Sequence, residues 1–194
     1  MITTVTALTT LEVAKDELDI SGSSSDAKLE RLIRQASSLI STECGREFGL
    51  QQLTETFSRG DGVDYSITRP LILSAAPVAR LDAVAASGGM LEPGSYAIEP
   101  GSGLLHRVEG GTPRAWGADL PVTVTYLSGF ETIPADLEAI ALQLIVMGWV
   151  ARGRDPGIKQ ESIQGAGSIT YFEGAGMVLT EDIRDQLAPW KARV

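Results

Sequence analysis

The chain is 194 residues long, with 43% hydrophobic and 21% charged residues and a formal net charge of −9 at neutral pH. That length suits one ordinary domain, or one domain carrying a substantial insertion, and excludes two large independent domains; the composition excludes wholesale disorder. The charge excludes a protein whose main task is gripping phosphates, because that affinity comes from Lys and Arg displacing counterions, but it is compatible with an acidic wall along which a polyanion slides.

At the start, Met1-Ile2-Thr3-Thr4 is followed by no basic region and no long apolar run, so neither a secretion nor a lipidation signal is expected. Thr9-Thr10-Leu11-Glu12 fits a capping box in which the Thr9 hydroxyl serves the amide of Glu12 and the Glu12 carboxylate reaches back, opening a first helix to about Leu18. Ser21-Gly22-Ser23-Ser24-Ser25 predicts a turn, with a second helix starting near Asp26. There Leu29, Leu32, Ile33, Ala36, Ile40 and Cys44 recur at steps of three and four, which puts them on one stripe, and Lys28, Glu30, Arg31 and Arg34 lie mainly off it. Gly45 supplies the stop, since a residue without Cβ enters the left-handed conformation that closes a helix. Cys44, the lone cysteine, has no internal disulfide partner and reads as a small core residue.

From about Leu53 to Tyr126 the pattern changes to short β-branched and aromatic runs broken by Gly and Pro, as expected for strands joined by turns. Asp61-Gly62, Gly88-Gly89, Pro93-Gly94 and Pro100-Gly101-Ser102-Gly103 mark turns; Tyr96-Ala97-Ile98 and Val122-Thr123-Val124-Thr125-Tyr126 mark strands of a small antiparallel sheet or open barrel.

Helical character returns at Ile133-Pro134-Ala135-Asp136, where proline suits the first helical position and Asp136 and Glu138 complement the positive end of the helix dipole. The third helix is expected from Leu137 to about Arg152. Leu137, Ile140, Ala141, Leu144, Ile145 and Gly148 form one stripe and Leu142, Val146 and Trp149 a second, so it must be covered on more than one side, by the β insertion or by a neighbouring copy. Its most apolar stretch, Ala139 to Ala151, falls well short of the roughly 20 residues that span a bilayer, and no membrane partner is expected. Gly153-Arg154-Asp155-Pro156-Gly157 ends it, and Gly-rich sequence to Gly176 is expected to be extended or mobile, with a strand at Ser168 to Phe172. Thr180-Glu181-Asp182 opens a short fourth helix that stops before Pro189. Trp190 with Lys191 and Arg193 reads either as a frayed terminus or as an anchor for a partner surface.

Signals of chemistry are weak. The single histidine, His106, reads as a surface or edge-strand side chain, and no serine and acid converge on it as a triad would need. With one histidine and one cysteine, neither in a ligand-spaced cluster, no metal is expected. Gly165-Ala166-Gly167 completes neither a dinucleotide fingerprint nor a phosphate loop with its lysine, so no cofactor is expected either. Glu12, Asp16, Glu17 and Asp19 read as a solvated face.

The order of these pieces resembles the head-tail connector (adaptor) family of tailed bacteriophages and gene transfer agents. The residues that carry the resemblance are Cys44-Gly45-Arg46-Glu47-Phe48 at a helix exit, Val124-Thr125-Tyr126-Leu127-Ser128-Gly129-Phe130 at a strand exit and Ile133-Pro134-Ala135-Asp136-Leu137 at a helix entry; Gln160-Glu161-Ser162-Ile163 and Ala188-Pro189-Trp190 echo its later portions. It implies an α+β fold, with a connector core of three to four helices (1–52 and 130–194) and a β-rich insertion (53–129). It further implies a structural subunit without enzymatic activity, located at the virion neck and assembled in the host cytoplasm. Copies of the chain would form a ring, twelvefold like the portal, joining portal protein to stopper or tail-completion protein around a passage for double-stranded DNA. Leu137, Ile140, Leu142, Leu144, Ile145, Val146 and Trp149 would then pack the core or a neighbouring copy, and Trp190, Lys191 and Arg193 would dock on the portal. A tail-completion or stopper protein is the alternative within structural proteins; a small hydrolase or ligand-binding enzyme using the insertion is the alternative of another class.

Overall fold

A computed structural model of the chain describes residues 6–59, 64, 68–151, 160–163, 167–170 and 177–192. It is an α+β fold of two units: Met1–Phe48 with Ile133–Val194, which is helical, and Gly49–Thr132, which is β-rich and enters the chain between the second and third helices.

In the helical unit, α1 (Leu11–Glu17) is capped by Thr10, whose hydroxyl accepts the Val13 N–H at 3.3 Å. The cap thus lies one residue later than the capping box at Thr9 predicts. Thr9 is buried, and its hydroxyl donates to Glu138 Oε1 at 2.8 Å, a charge-assisted bond across the unit that a surface cap would forgo. Next to it the Leu8 N–H donates to Ser37 Oγ at 3.0 Å, so the chain ahead of α1 is held at both residues.

The amphipathic helix α2 spans Asp26–Cys44 and buries the predicted stripe, Leu29, Leu32, Ile33, Ala36, Ile40 and Cys44. Gly45 closes it at φ 65°, a left-handed conformation open to glycine without strain, with its N–H donating to the carbonyls of Ser41 and Thr42. α3 (Ala135–Ala151) starts one residue after Pro134, whose carbonyl accepts the N–H groups of Leu137 and Glu138 at 3.0 Å; Pro134 therefore holds the cap position instead of the first helical one. Gly148 lets α3 come close to its neighbours. A Cβ there would lie 3.1 Å from Leu32 Cδ2 and 3.0 Å from Met177 Cε. Short strands β9 (Gln160–Ile163) and β10 (Gly167–Thr170) pair antiparallel; Tyr171 and Phe172, also expected in that strand, lie outside the described residues, as do the glycine runs at 153–157 and 174–176. α4 (Glu181–Leu187) opens on Thr180, whose hydroxyl accepts the Ile183 N–H, and passes into a 3₁₀ turn at Ala188–Trp190.

The β-rich unit holds β1 (Gln51–Phe57), β2 (Leu71–Ile72), β3 (Val78–Ala86), β4 (Gly89–Met90), β5 (Tyr96–Glu99), β6 (Leu104–Glu109), β7 (Thr112–Arg114) and β8 (Val122–Ser128). They form two antiparallel sheets, one ordered β1-β8-β3-β4 and the other β2-β6-β5 with β7 also on β6. The alternation of β8 explains its central place: Val122, Val124 and Tyr126 point inward, and Thr123 and Thr125 point out. On that outer face Thr54 meets Thr125 and Thr56 meets Thr123, each pair of hydroxyls hydrogen-bonded at 3.0 Å between strand partners in register. Inside, Val84, Val122, Val124 and Tyr126 of the first sheet share one core with Leu71 and Leu105 of the second and with Trp116. The expected turn at Asp61-Gly62 lies outside the described residues.

Candidate functional site

α3 is the clearest candidate surface, because its sequence offers more apolar faces than one helix needs. The structure buries Leu137, Ile140, Ala141, Leu144 and Ile145 completely or nearly so. Leu142, Val146 and Trp149 are half-buried. Turned furthest outward are Ala139 and Gln143, both exposed, and Val150, which is 53% exposed. Together with half-buried Val146 they follow one another at steps of four, three and four, and after Asp136 this stripe carries no charge. Sequence reasoning paired Val146 with Leu142 and Trp149 and missed Ala139 and Val150. The spacing of those residues was the available signal, masked by the nearly uniform apolarity of the helix.

The C-terminal segment is the second candidate. Beyond α4, the Lys191 ammonium lies 2.8 Å from Glu43, and Arg184 lies 3.8 Å from the other Glu43 oxygen. The Lys191 hydrogen bond holds the Glu43 carboxyl below its usual range. The Trp190 ring meets Phe48 edge to face, with centroids 6.4 Å apart, and Arg46 lies over the Phe48 ring at 5.2 Å. The Ala192 N–H donates to the carbonyl of Cys44 at 2.7 Å. Thus Trp190 and Lys191, sequence candidates for docking, sit on the last turn of α2 and its exit; Arg193 lies outside the described residues. Cys44 is buried beneath this turn as a core residue. Burial first, and the Glu43 carboxylate second, push its thiol up to about 11.

Polar clusters in the β-rich unit are tied up in its own architecture. The buried Tyr126 hydroxyl donates to Glu55 and accepts the Ala75 N–H at 3.2 Å, and Glu55 also accepts the Ser74 hydroxyl at 2.7 Å. Burial, followed by the Glu55 hydrogen bond, raises the phenol to about 12. Arg107, also buried, donates to Asp119 at 2.9 Å and to the Ser95 carbonyl, and lies over Trp116, whose indole N–H donates to the Leu105 carbonyl. His106 is half-buried and 3.1 Å from Glu99. It lies on β6 opposite Ala97 of β5; on the other side of β6 it falls between Leu104 and Leu105, which pair with β2, and Arg107 to Glu109, which pair with β7. Glu12, Asp16, Glu17 and Asp19 are all exposed. Among the described residues no group of three or more His, Cys, Asp or Glu is placed to hold a metal ion, and no helix is long and apolar enough to cross a membrane.

No protein-family model and no curated protein matches this sequence. Solved structures do. The chain is similar over 100% of its length to 95% of a chain in "Virion of native gene transfer agent (GTA) particle", at 15% identity and a TM-score of 0.55. It is likewise similar, over 100% of its length and 97% of the other chain at 17% identity, to chains in "Neck of empty GTA particle computed with C6 symmetry" and "Neck of native GTA particle computed with C12 symmetry", with TM-scores of 0.55 and 0.52. At these identities the likeness is one of fold, and it runs through both units: the α+β architecture of this chain is shared with chains of gene transfer agent particles and their necks.

Proposed function

We propose that the chain is a head-tail connector (adaptor) subunit of a tailed-phage or gene transfer agent particle. Copies of it form a twelvefold ring below the portal, join the head to stopper or tail-completion components, and surround the passage for double-stranded DNA, with no enzymatic step. The observation that carries this reading is the correspondence of fold over the entire chain with chains in neck structures, computed with C6 and C12 symmetry. The uncharged outward stripe of α3 supports it, because a ring subunit needs a surface for a neighbouring copy beyond what its own core covers. In the same reading Trp190, Lys191 and Arg193 meet the portal. Anchorage of Trp190 and Lys191 to Phe48 and Glu43 supports that role, since a turn already ordered loses less conformational entropy on docking than a free tail. The place of action is the virion neck, reached by assembly in the host cytoplasm. Imaging the chain together with its cognate portal tests the proposal. A twelvefold ring on the tail-facing end of the portal is expected; binding elsewhere in the particle, or none, overturns it.

A further inference from the structure

α1 and α2 leave opposite charges on their outward surfaces, and one internal ion pair does the sorting. Lys15, the cation of α1, lies 2.7 Å from Asp26, the acid in the first turn of α2. With those two neutralised, α1 and its exit present Glu12, Asp16, Glu17 and Asp19, all exposed. The outward side of α2 presents Lys28, Arg31 and Arg34, followed by Gln35, Ser38 and Thr42, again all exposed. None of these acids or cations has an ion-pair partner among the described residues. Glu30, the exposed carboxylate of α2, stands four residues before Arg34 and about 40° of arc from it, at the edge of the basic face that borders buried Ser37 and Ser41, so the face keeps three cations against one acid. The three cations climb about 9 Å along α2, and Glu12 to Glu17 climb about 7.5 Å along α1, so the two patches are similar in length and opposite in sign.

We infer that the basic outward face of α2 is a docking surface for a second copy of this chain, which offers the acidic face of its α1. The inference rests on the ring proposed above and names the faces that meet in it. A ring closes through heterologous contacts, in which each copy gives one patch to the neighbour on one side and a different patch to the neighbour on the other. Complementary charge on two helices of one chain provides such patches at equal stoichiometry. Duplex DNA is the rival occupant of a basic face, and a net charge of −9 per copy opposes it, because a ring would multiply that repulsion. Exposed ion pairs of this kind fix orientation and encounter rate, and the apolar contacts supply the rest of the affinity.

The test uses the full chain and its cognate portal, with ring occupancy counted by native mass spectrometry and folding checked by circular dichroism. One variant carries Lys28→Glu, Arg31→Glu and Arg34→Glu, and so has two acidic faces; the other carries Glu12→Lys, Asp16→Lys and Glu17→Lys, and so has two basic ones. Each alone should fill the ring at least about tenfold less well than the wild type. An equimolar mixture should recover, because the two variants alternate around an even-numbered ring, and a chain carrying all six substitutions should recover too. Either single variant filling the ring like the wild type would overturn the inference, as would a folded mixture that stays unassembled. A variant of α2 that assembles but loses contact with DNA would assign the face to DNA and overturn it as well. A wild-type chain that forms no ring on the portal fails at an earlier step, and sinks the connector reading together with this one.

Discussion

Replacing Tyr126 by Phe removes one oxygen from the centre of the β-rich unit, and its cost follows from the bonds around it. Tyr126 is fully buried, and its hydroxyl donates to Glu55 and accepts the Ala75 N–H. Glu55 is not orphaned in the variant, since it keeps the Ser74 N–H at 3.2 Å and the Ser74 hydroxyl at 2.7 Å. What remains is a lost bond to a carboxylate and a backbone N–H without its acceptor, together about 2 kcal/mol near neutral pH. For a chain of this size that lowers Tm by about 4–8 °C. The pH dependence is more telling. The phenol is raised from 10.0 to about 12, so its contribution is complete below pH 10 and disappears as the pH climbs through 12, while Phe does not titrate. The wild type should therefore lose roughly 2–3 kcal/mol relative to the variant across that interval, which closes the gap between them. Urea unfolding followed by tryptophan fluorescence, performed on both proteins from pH 8 to 12, reads the difference directly and cancels groups that titrate in both. A difference that stays constant over the range, or is already below about 0.5 kcal/mol at pH 8, would refute the assignment of Tyr126 as a buried, hydrogen-bonded phenol.

Cys44→Ala should remove an earlier alkaline loss from the helical unit: a thiol raised from 9.0 to about 11 supplies stability below pH 9 that fades by pH 11, on the order of 2 kcal/mol, and helical circular dichroism in urea follows it. Leu144→Ala should destabilise by about 2–5 kcal/mol in thermal or urea melts, because Leu144 is fully buried. Val150→Asp, at a side chain 53% exposed, should leave the isolated chain folded within about 1 kcal/mol but lower co-sedimentation with portal, because a carboxylate would enter an apolar contact between copies; unchanged co-sedimentation would remove α3 from the ring interface. Gly148→Leu should cost about 1–3 kcal/mol in the same melts, since even a Cβ there crowds Leu32 and Met177.

How much of this was legible in the sequence depended on whether a signal was local. The stripe of α2 and its glycine stop fall where periodicity and left-handed propensity put them, at Asp26–Cys44 and Gly45. The capping box placed the cap of α1 at Thr9, whereas Thr10 holds it, because the Thr9 hydroxyl is engaged by Glu138, which is 129 residues away. Strands β5 and β8 were visible from composition and turns. Their sheet order was not, because β1 pairs with β8 through partners as distant as Gln51 and Ser128, which no local pattern encodes. Uniform apolarity declared that α3 was buried on more than one side without saying which side faced out. The C-terminal segment was legible as a tryptophan with nearby cations, but its seat was not, since Lys191 meets a glutamate 148 residues earlier.

Insertion of the β-rich unit between α2 and α3 also sets a schedule for biosynthesis. α2 packs its apolar stripe against α3, yet about 90 residues must be polymerised between Cys44 and Leu137 before that partner exists. At about 5–20 residues per second, the stripe waits roughly 5–18 s on the ribosome, an interval in which an exposed amphipathic helix invites chaperone capture or aggregation. The β-rich unit, whose first sheet is likewise incomplete until β8 emerges, occupies the same interval. A circular permutant that begins at Gly49 and ends at Phe48 would reverse the roles: 68 residues would separate Ala151 from Asp26, so α3 would wait for α2, for roughly 3–14 s at the same rate. Chaperone capture should then move from α2 to α3, which crosslinking to stalled nascent chains reads; capture of α2 in both arrangements would place the bottleneck elsewhere.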